Sequence, residues 1–201
     1  RWYHDLSAPD GEGGTKIYAV SGRVKHPGAW ELPMGTPLRE LIMDHAGGME
    51  DGYAFRAAIP GGASTEFLLS EHLDVKMDFE SVPGAGSRMG TGCVIVMDDR
   101  VCPVGLLYSL MSFFARESCG WCTPCREGTK RMLEILTRIC NGKGREGDIQ
   151  LLEETAPYVK DTALCGLGQT APNPLLTTIR YFREEYEAHI HQHKCHAGTC
   201  T

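Results

Sequence analysis

The chain has 201 residues, 42% of them hydrophobic, enough for one large or two small cores. Its formal net charge of −6 and its lack of any basic cluster argue against a nucleic-acid or anionic-membrane surface. No apolar run reaches membrane-spanning length, and the polar opening Arg1–Gly14, broken by Pro9 and glycines, does not read as a secretion signal. Neither nucleic-acid binding nor direct membrane insertion is therefore expected, and a cytoplasmic location is.

After an N-terminal segment (residues 1–15), the first half has strand composition. "KIYAVSGRV" (Lys16–Val24) and "AWELP" (Ala29–Pro33), joined by the turn "KHPG", predict a hairpin. Thr36 and Pro37 read as the cap and first residue of a helix that Gly47–Gly48 ends. Further short strands are expected around Phe55–Ile59, Glu66–Leu69 and Cys93–Asp98. This order within residues 16–98 fits a small β-grasp or other α+β domain.

The second half reads as helical. Pro103–Arg116 carries Leu106, Leu107, Leu110, Phe113 and Phe114 at helical spacing. Thr123 and Pro124 predict the start of a helix to Cys140, with Met132, Ile135, Leu136 and Ile139 inward. Asp148 is expected to cap a third helix, with Ile149, Leu151, Leu152 and Val159 buried and Pro157 kinking or ending it. Asn173 is expected to cap a fourth, with Leu175, Ile179, Phe182 and Tyr186 along one stripe. The fold class is thus α+β, a small β-grasp domain followed by a four-helix bundle over residues 99–190, with a Cys/His-rich tail at 191–201.

The stretch "ESCGWCTPCREG" (Glu117–Gly128) raises the question of chemistry. Nine cysteines are an odd number and they cluster, which in a chain without a secretion signal favours metal ligation over disulfides. Cys119, Cys122 and Cys125 form C-x-x-C-x-x-C, whose gaps let successive thiolates turn toward one point, as a cubane iron–sulfur cluster needs. Zinc sites more often use two separated C-x-x-C pairs, and a zinc knuckle or a cluster of reduced thiols stays the alternative. A fourth ligand is required. Cys165, in "ALCGLG", follows two helices that would bring the chain back to the triplet. Cys125 falls in the first turn of its helix, where free N–H groups favour negative charge, and Arg126, Lys130 and Arg131 add positive charge nearby.

"ESCGWCTPCREG", "LCGLG" and "IRYFREEYEAHI" resemble the NADH-oxidising flavoprotein subunit of respiratory complex I and of NAD-reducing or electron-bifurcating hydrogenases. "GTKIYAVSGRVKHPGAWELPMGTPLRELI" and "IPGGASTEFL" resemble the soluble-ligand-binding β-grasp domain of the same subunit. The resemblance implies one [4Fe–4S] cluster on Cys119, Cys122, Cys125 and Cys165. It also implies an electron-relay role between FMN and the iron–sulfur subunits of a larger redox complex, in the peripheral arm when that complex is membrane-bound. The family's flavin- and NADH-binding region has no counterpart here. "GAGSRMG" (Gly84–Gly90) is G-x-G-x-x-x-G and reads as a turn. FMN and NAD(H) are therefore expected in a longer subunit of which this chain is the C-terminal part, and no residue here is expected to be catalytic.

Cys93 and Cys140 read as small core residues. The end "AHIHQHKCHAGTCT" crowds histidines and cysteines, and "KCHAGTC" resembles the start of a ferredoxin-like extension in hydrogenase-type relatives. One zinc ion on Cys102, His189, Cys195 and Cys200 is expected, with His191, His193 or His196 able to replace His189. Two other functions compete with the relay: a small-ligand-binding module in residues 16–98, and a zinc-stabilised structural module.

Overall fold

The computed structural model describes residues 1–6 and 13–200. The segment expected over residues 1–15 lies partly outside the described residues, as does the last residue of the tail. The chain divides into two compact units, Arg1–Arg100 and Val101–Thr201.

The first unit is built on a mixed four-stranded sheet of β1 (Thr15–Gly22), β2 (Gly28–Pro33), β3 (Phe55–Ile59) and β4 (Cys93–Asp98), in the order β2-β1-β4-β3. The hairpin β1–β2 and the pair β3–β4 are antiparallel, while the central β1–β4 pair is parallel. This is the β-grasp order. Alternation puts Tyr18, Val20, Val94 and Val96 on the buried face, against Leu38, Leu41, Ile42, Leu73 and Met77. The Tyr18 hydroxyl, buried with its ring, donates to the Met77 carbonyl at 2.7 Å.

Several details differ from the sequence reading. The Thr36 hydroxyl donates back to the Pro33 carbonyl at 2.7 Å instead of capping. The helix α1 (Leu38–Glu40) starts one residue later than expected, after an extended Pro37, and continues as a π-helical turn, Leu41–His45. Glu66–Leu69 pairs with β3 at one bridge, Leu68 to Ala58, because the chain turns at once into the 3-10 segment Ser70–His72. Cys93 is exposed, at the first position of β4, and is not a core residue. A short helix α2 (Ser81–Gly84) leads into the turn at Gly84–Gly90.

The second unit contains α3 (Pro103–Glu117), α4 (Thr123–Cys140), α5 (Asp148–Thr162), the short α6 (Gly166–Thr170) and α7 (Pro172–His191). Packing closes a ring: α3 on α4, α4 on α5, α5 on α7, and α7 back on α3. The apolar stripes meet inside it through Leu107, Leu110, Phe114, Met132, Ile135, Leu136, Leu152, Val159, Leu175 and Ile179. Leu106 and Leu151 are half-buried and Phe113 is exposed, at the margins of their stripes.

Helix starts differ from expectation. Cys122, not Thr123, is the residue before α4. Asp148 is the first residue of α5, after a left-handed Gly147, and its carboxylate accepts from the Arg145 N–H at 2.9 Å and from Arg138 Nε at 2.8 Å. Asn173 is buried inside α7. Pro157 does not end α5, which runs on because Leu152, Ala156 and Val159 stay packed on either side of it. The break comes instead in α7, where Phe182 leaves helical geometry (φ −132°, ψ 33°), and the Thr178 and Tyr186 hydroxyls bond at 2.8 Å across it.

Candidate metal centres

The first site forms where α3 ends and two helices begin. The loop after α3 delivers Cys119 and then Cys122, the extended residue preceding α4 (φ −96°, ψ 136°). Cys125 follows in the first turn of α4, buried and facing inward. Two helices later α5 returns the chain, and Cys165 stands as the extended residue before α6 (φ −141°, ψ 168°). A cavity of about 130 Å³ is bounded by all four cysteines, with Ser118, Trp121 and Leu167 on its wall.

The surroundings treat two of the thiols in opposite ways. Backbone N–H groups of Leu164 and Cys125 hold the Cys122 thiol below its usual range. Burial pushes the Cys125 thiol up, partly offset by a 3.2 Å contact with the Ser118 hydroxyl, and the other three cysteines crowd it further. Arg126 does not stand free. It donates to the Gly120 carbonyl at 2.7 Å and to Glu127 at 2.8 Å, so it clamps the loop between the first two cysteines. Arg131 pairs with Glu134 on the helix surface. At Gly168 of α6, a Cβ would sit 2.9 Å from Cys125 Cβ and 3.3 Å from its sulfur, so a glycine there leaves the space beside Cys125 open.

The second site is tighter. The ligand atoms of Cys102, His189, Cys195 and Cys200 all lie within 4.8 Å of one another. Among the described residues no other group of three or more such side chains converges this closely, the four cysteines of the first site included. Cys102 Sγ is 3.5 Å from His189 Nε2 and 3.7 Å from Cys200 Sγ. Zinc bonds to sulfur and nitrogen imply tetrahedral edges of about 3.3–3.8 Å.

Local structure explains the convergence. Cys102 precedes Pro103 at the start of α3, and His189 lies in the last turn of α7, so α7 packed against α3 brings them together. Past α7, the Lys194 N–H donates to the Ala188 carbonyl and His196 Nδ1 meets the buried Glu185 carboxylate at 3.0 Å. Gly198, at φ +64°, then turns the chain so that its N–H reaches the Cys195 carbonyl. His189 Nδ1 donates to the Glu185 carbonyl at 2.6 Å, so Nε2, which faces Cys102 Sγ, is the ring atom available to a metal. His191, His193 and His196 are exposed.

Crowding of protonatable atoms shows in their acidity. Cys102 is pushed far up by the neighbouring Cys200 thiol and by burial. His189 is raised to about 9 by its bond to Cys102. Burial would raise Cys195, but the Cys200 and Thr199 N–H groups outweigh it and bring the thiol to about 6. The bond to Cys102 would lower Cys200, yet Cys140 and burial push it up to about 12. Cys140 is buried beside this second site, not the first.

The sequence reading missed Ser118 and the Leu164 N–H as partners of the first site, and Glu185 as the residue that orients both His189 and His196. Ser118 was detectable as a hydroxyl adjoining the triplet. Glu185 was not, because its role depends on one turn of α7 meeting the tail.

Residues 17–68 match the SLBB domain, and residues 105–189 match the NADH-ubiquinone oxidoreductase-F iron-sulfur binding region. The chain is 48% identical over 192 residues to a subunit of the NADH-quinone oxidoreductase of Escherichia coli (strain K12), covering 95% of this chain and 43% of that protein. It is 46% identical over 200 residues to the HndC subunit of the NADP-reducing hydrogenase of Solidesulfovibrio fructosivorans, covering 100% and 41%. Among solved structures it superposes on a chain of an NAD+-reducing [NiFe]-hydrogenase in the H2-reduced state with a TM-score of 0.82 and 32% identity, over 96% of this chain and 32% of that one. The chain thus spans less than half the length of these relatives. Its two family matches stand in chain order, an SLBB domain followed by an NADH-ubiquinone oxidoreductase-F iron–sulfur binding region.

Proposed function

We propose that this chain is the electron-relay portion of an NADH-oxidising flavoprotein subunit, with one [4Fe–4S] cluster on Cys119, Cys122, Cys125 and Cys165 and one structural zinc on Cys102, His189, Cys195 and Cys200. The observation that carries the relay reading is the cavity of about 130 Å³ bounded by four cysteines. They surround a cavity, whereas the ligand atoms of the second group lie within 4.8 Å of one another. An all-thiolate donor set with backbone and hydroxyl donors to sulfur suits a cluster. When bound, the cluster supplies one-electron storage between a reduced flavin and the next iron–sulfur centre.

The chain's own residues bind and orient. The α3–α4 loop sets three thiolates, and α5 carries the fourth back to them. In the first turn of α4 the Cys125 N–H turns to the Cys122 sulfur, at the helix end that favours negative charge. Trp121 and Leu164, 85% and 70% exposed, form apolar surface beside the cysteines of the kind that a partner subunit covers. FMN and NAD(H) belong to the remainder of the longer subunit. The iron–sulfur subunits of a complex I or hydrogenase assembly are the partners, in its cytoplasmic, peripheral part. No helix among the described residues is long and apolar enough to cross a membrane.

On this reading residues 16–98 are the SLBB domain, 99–190 the cluster-binding bundle and 191–201 a tail pinned by zinc. A closed four-ligand zinc site holds structure and performs no reaction. Anaerobic purification followed by visible spectroscopy and metal analysis tests both centres. A broad absorption bleached by dithionite, with iron, labile sulfide and one zinc per chain, is expected. A colourless chain containing zinc alone would refute the relay.

A further inference from the structure

Ser118 stands between the end of α3 and the first cluster cysteine, half-buried, on the wall of the thiol-lined cavity. Its Oγ lies 3.2 Å from Cys125 Sγ. The same oxygen accepts the Gly120 N–H at 3.4 Å. A hydroxyl has one hydrogen to give and two lone pairs. With a lone pair facing Gly120, its hydrogen is left for the sulfur. A thiolate bound to iron has no proton of its own, so in the loaded chain the serine must be the donor. The backbone holds it in place, since the Ser118 N–H closes α3 on the Phe114 carbonyl at 3.1 Å.

We propose that Ser118 is a positioning residue that sets the reduction potential of the centre through an O–H···S hydrogen bond to Cys125. The inference rests on the relay reading above and adds a residue outside the ligand set. Reduction adds one electron to the iron–thiolate unit, with no bond broken and no proton moved. A donor at sulfur stabilises the more negative form more, so it raises the potential. Cys122 receives its donors from backbone N–H groups, which no side-chain substitution removes. The Ser118 hydroxyl can be removed by one substitution that leaves all four ligands in place.

The test is a potentiometric titration of the cluster-loaded chain, followed by visible absorption and electron paramagnetic resonance, for the unmodified chain and for Ser118→Ala, Ser118→Thr and Ser118→Val. Loss of the hydroxyl in S118A is expected to lower the equilibrium constant for reduction about tenfold, a downward shift of about 59 mV for a one-electron couple. S118T, which keeps the hydroxyl, is expected to titrate near the unmodified chain. S118V, of nearly the same shape without it, is expected to titrate with S118A. Equal potentials in the threonine and valine variants would overturn the proposal, and that pair decides it even if S118A takes up no iron. Absence of iron and labile sulfide from the unmodified chain would instead overturn the relay reading, before any variant is compared.

Discussion

Cys165 carries the heaviest demand in the first site, because 40 positions separate it from Cys125 and only the return of α5 brings it to the cavity. Cys165→Ser is expected to lose or weaken the cluster, whereas Cys140→Ser, altering a thiol beside the second site, is expected to leave it intact. Iron and labile-sulfide content read both, and the reverse pattern would break the ligand assignment. Asp148 gives a different prediction. Burial would raise its pKa, but Arg138 and the Arg145 N–H outweigh that and hold it below the usual carboxylate range. A depressed folded pKa contributes stability above the unfolded value of about 3.9 and loses it as pH falls through the folded value. Asp148→Asn is therefore expected to cost about 2–3 kcal/mol at neutral pH. Its deficit against the unmodified chain should shrink below about pH 4. Denaturant unfolding at the two pH values checks this, and a deficit constant with pH would remove the ion pair from the account.

Helix α6 presses its backbone against Cys125, and Gly168 permits it. In Gly168→Ala the new Cβ would stand 2.6 Å from Ala163 Cβ and 2.9 Å from Cys125 Cβ. The expected result is a loss of about 1–3 kcal/mol and a lower iron content. Unchanged thermal unfolding and full iron loading would contradict it. On the zinc reading the second site holds the tail beyond α7. Removing zinc with a chelator, or Cys200→Ser, is expected to open the chain after residue 191 to limited proteolysis, read by mass spectrometry. Strong apolar periodicity made the long helices and β1–β4 legible in the sequence. The return of Cys165 to C-x-x-C-x-x-C and the approach of Cys102 to His189 were legible from helix order, whereas seating Cys195 and Cys200 also takes the turn at Gly198, which the sequence shows, and the His196–Glu185 contact, which it does not. The helix starts were not. Asp148 turned its carboxylate to Arg138 and Thr36 turned its hydroxyl to Pro33, tertiary and local bonds that propensity does not encode. Nor was the break at Phe182, which carries no proline or glycine signal and is bridged by two hydroxyls eight residues apart.

The chain as a whole holds a sheet unit and a helical unit, and less than half the length of relatives that are NADH- or NADP-linked oxidoreductase subunits. On the relay reading the chain holds a cluster and leaves the flavin and the nucleotide to the rest of a longer subunit, so the chain alone is expected not to oxidise NADH at an enzymatic rate. A stopped-flow or steady-state assay with an artificial electron acceptor reads this directly, and ordinary turnover would overthrow the relay role. On the relay reading Cys119, Cys122, Cys125 and Cys165 hold one cubane cluster. Iron and acid-labile sulfide quantified in the anaerobically prepared chain decide this. About four of each per chain are expected. Sulfide-free protein with zinc in place of iron would contradict it.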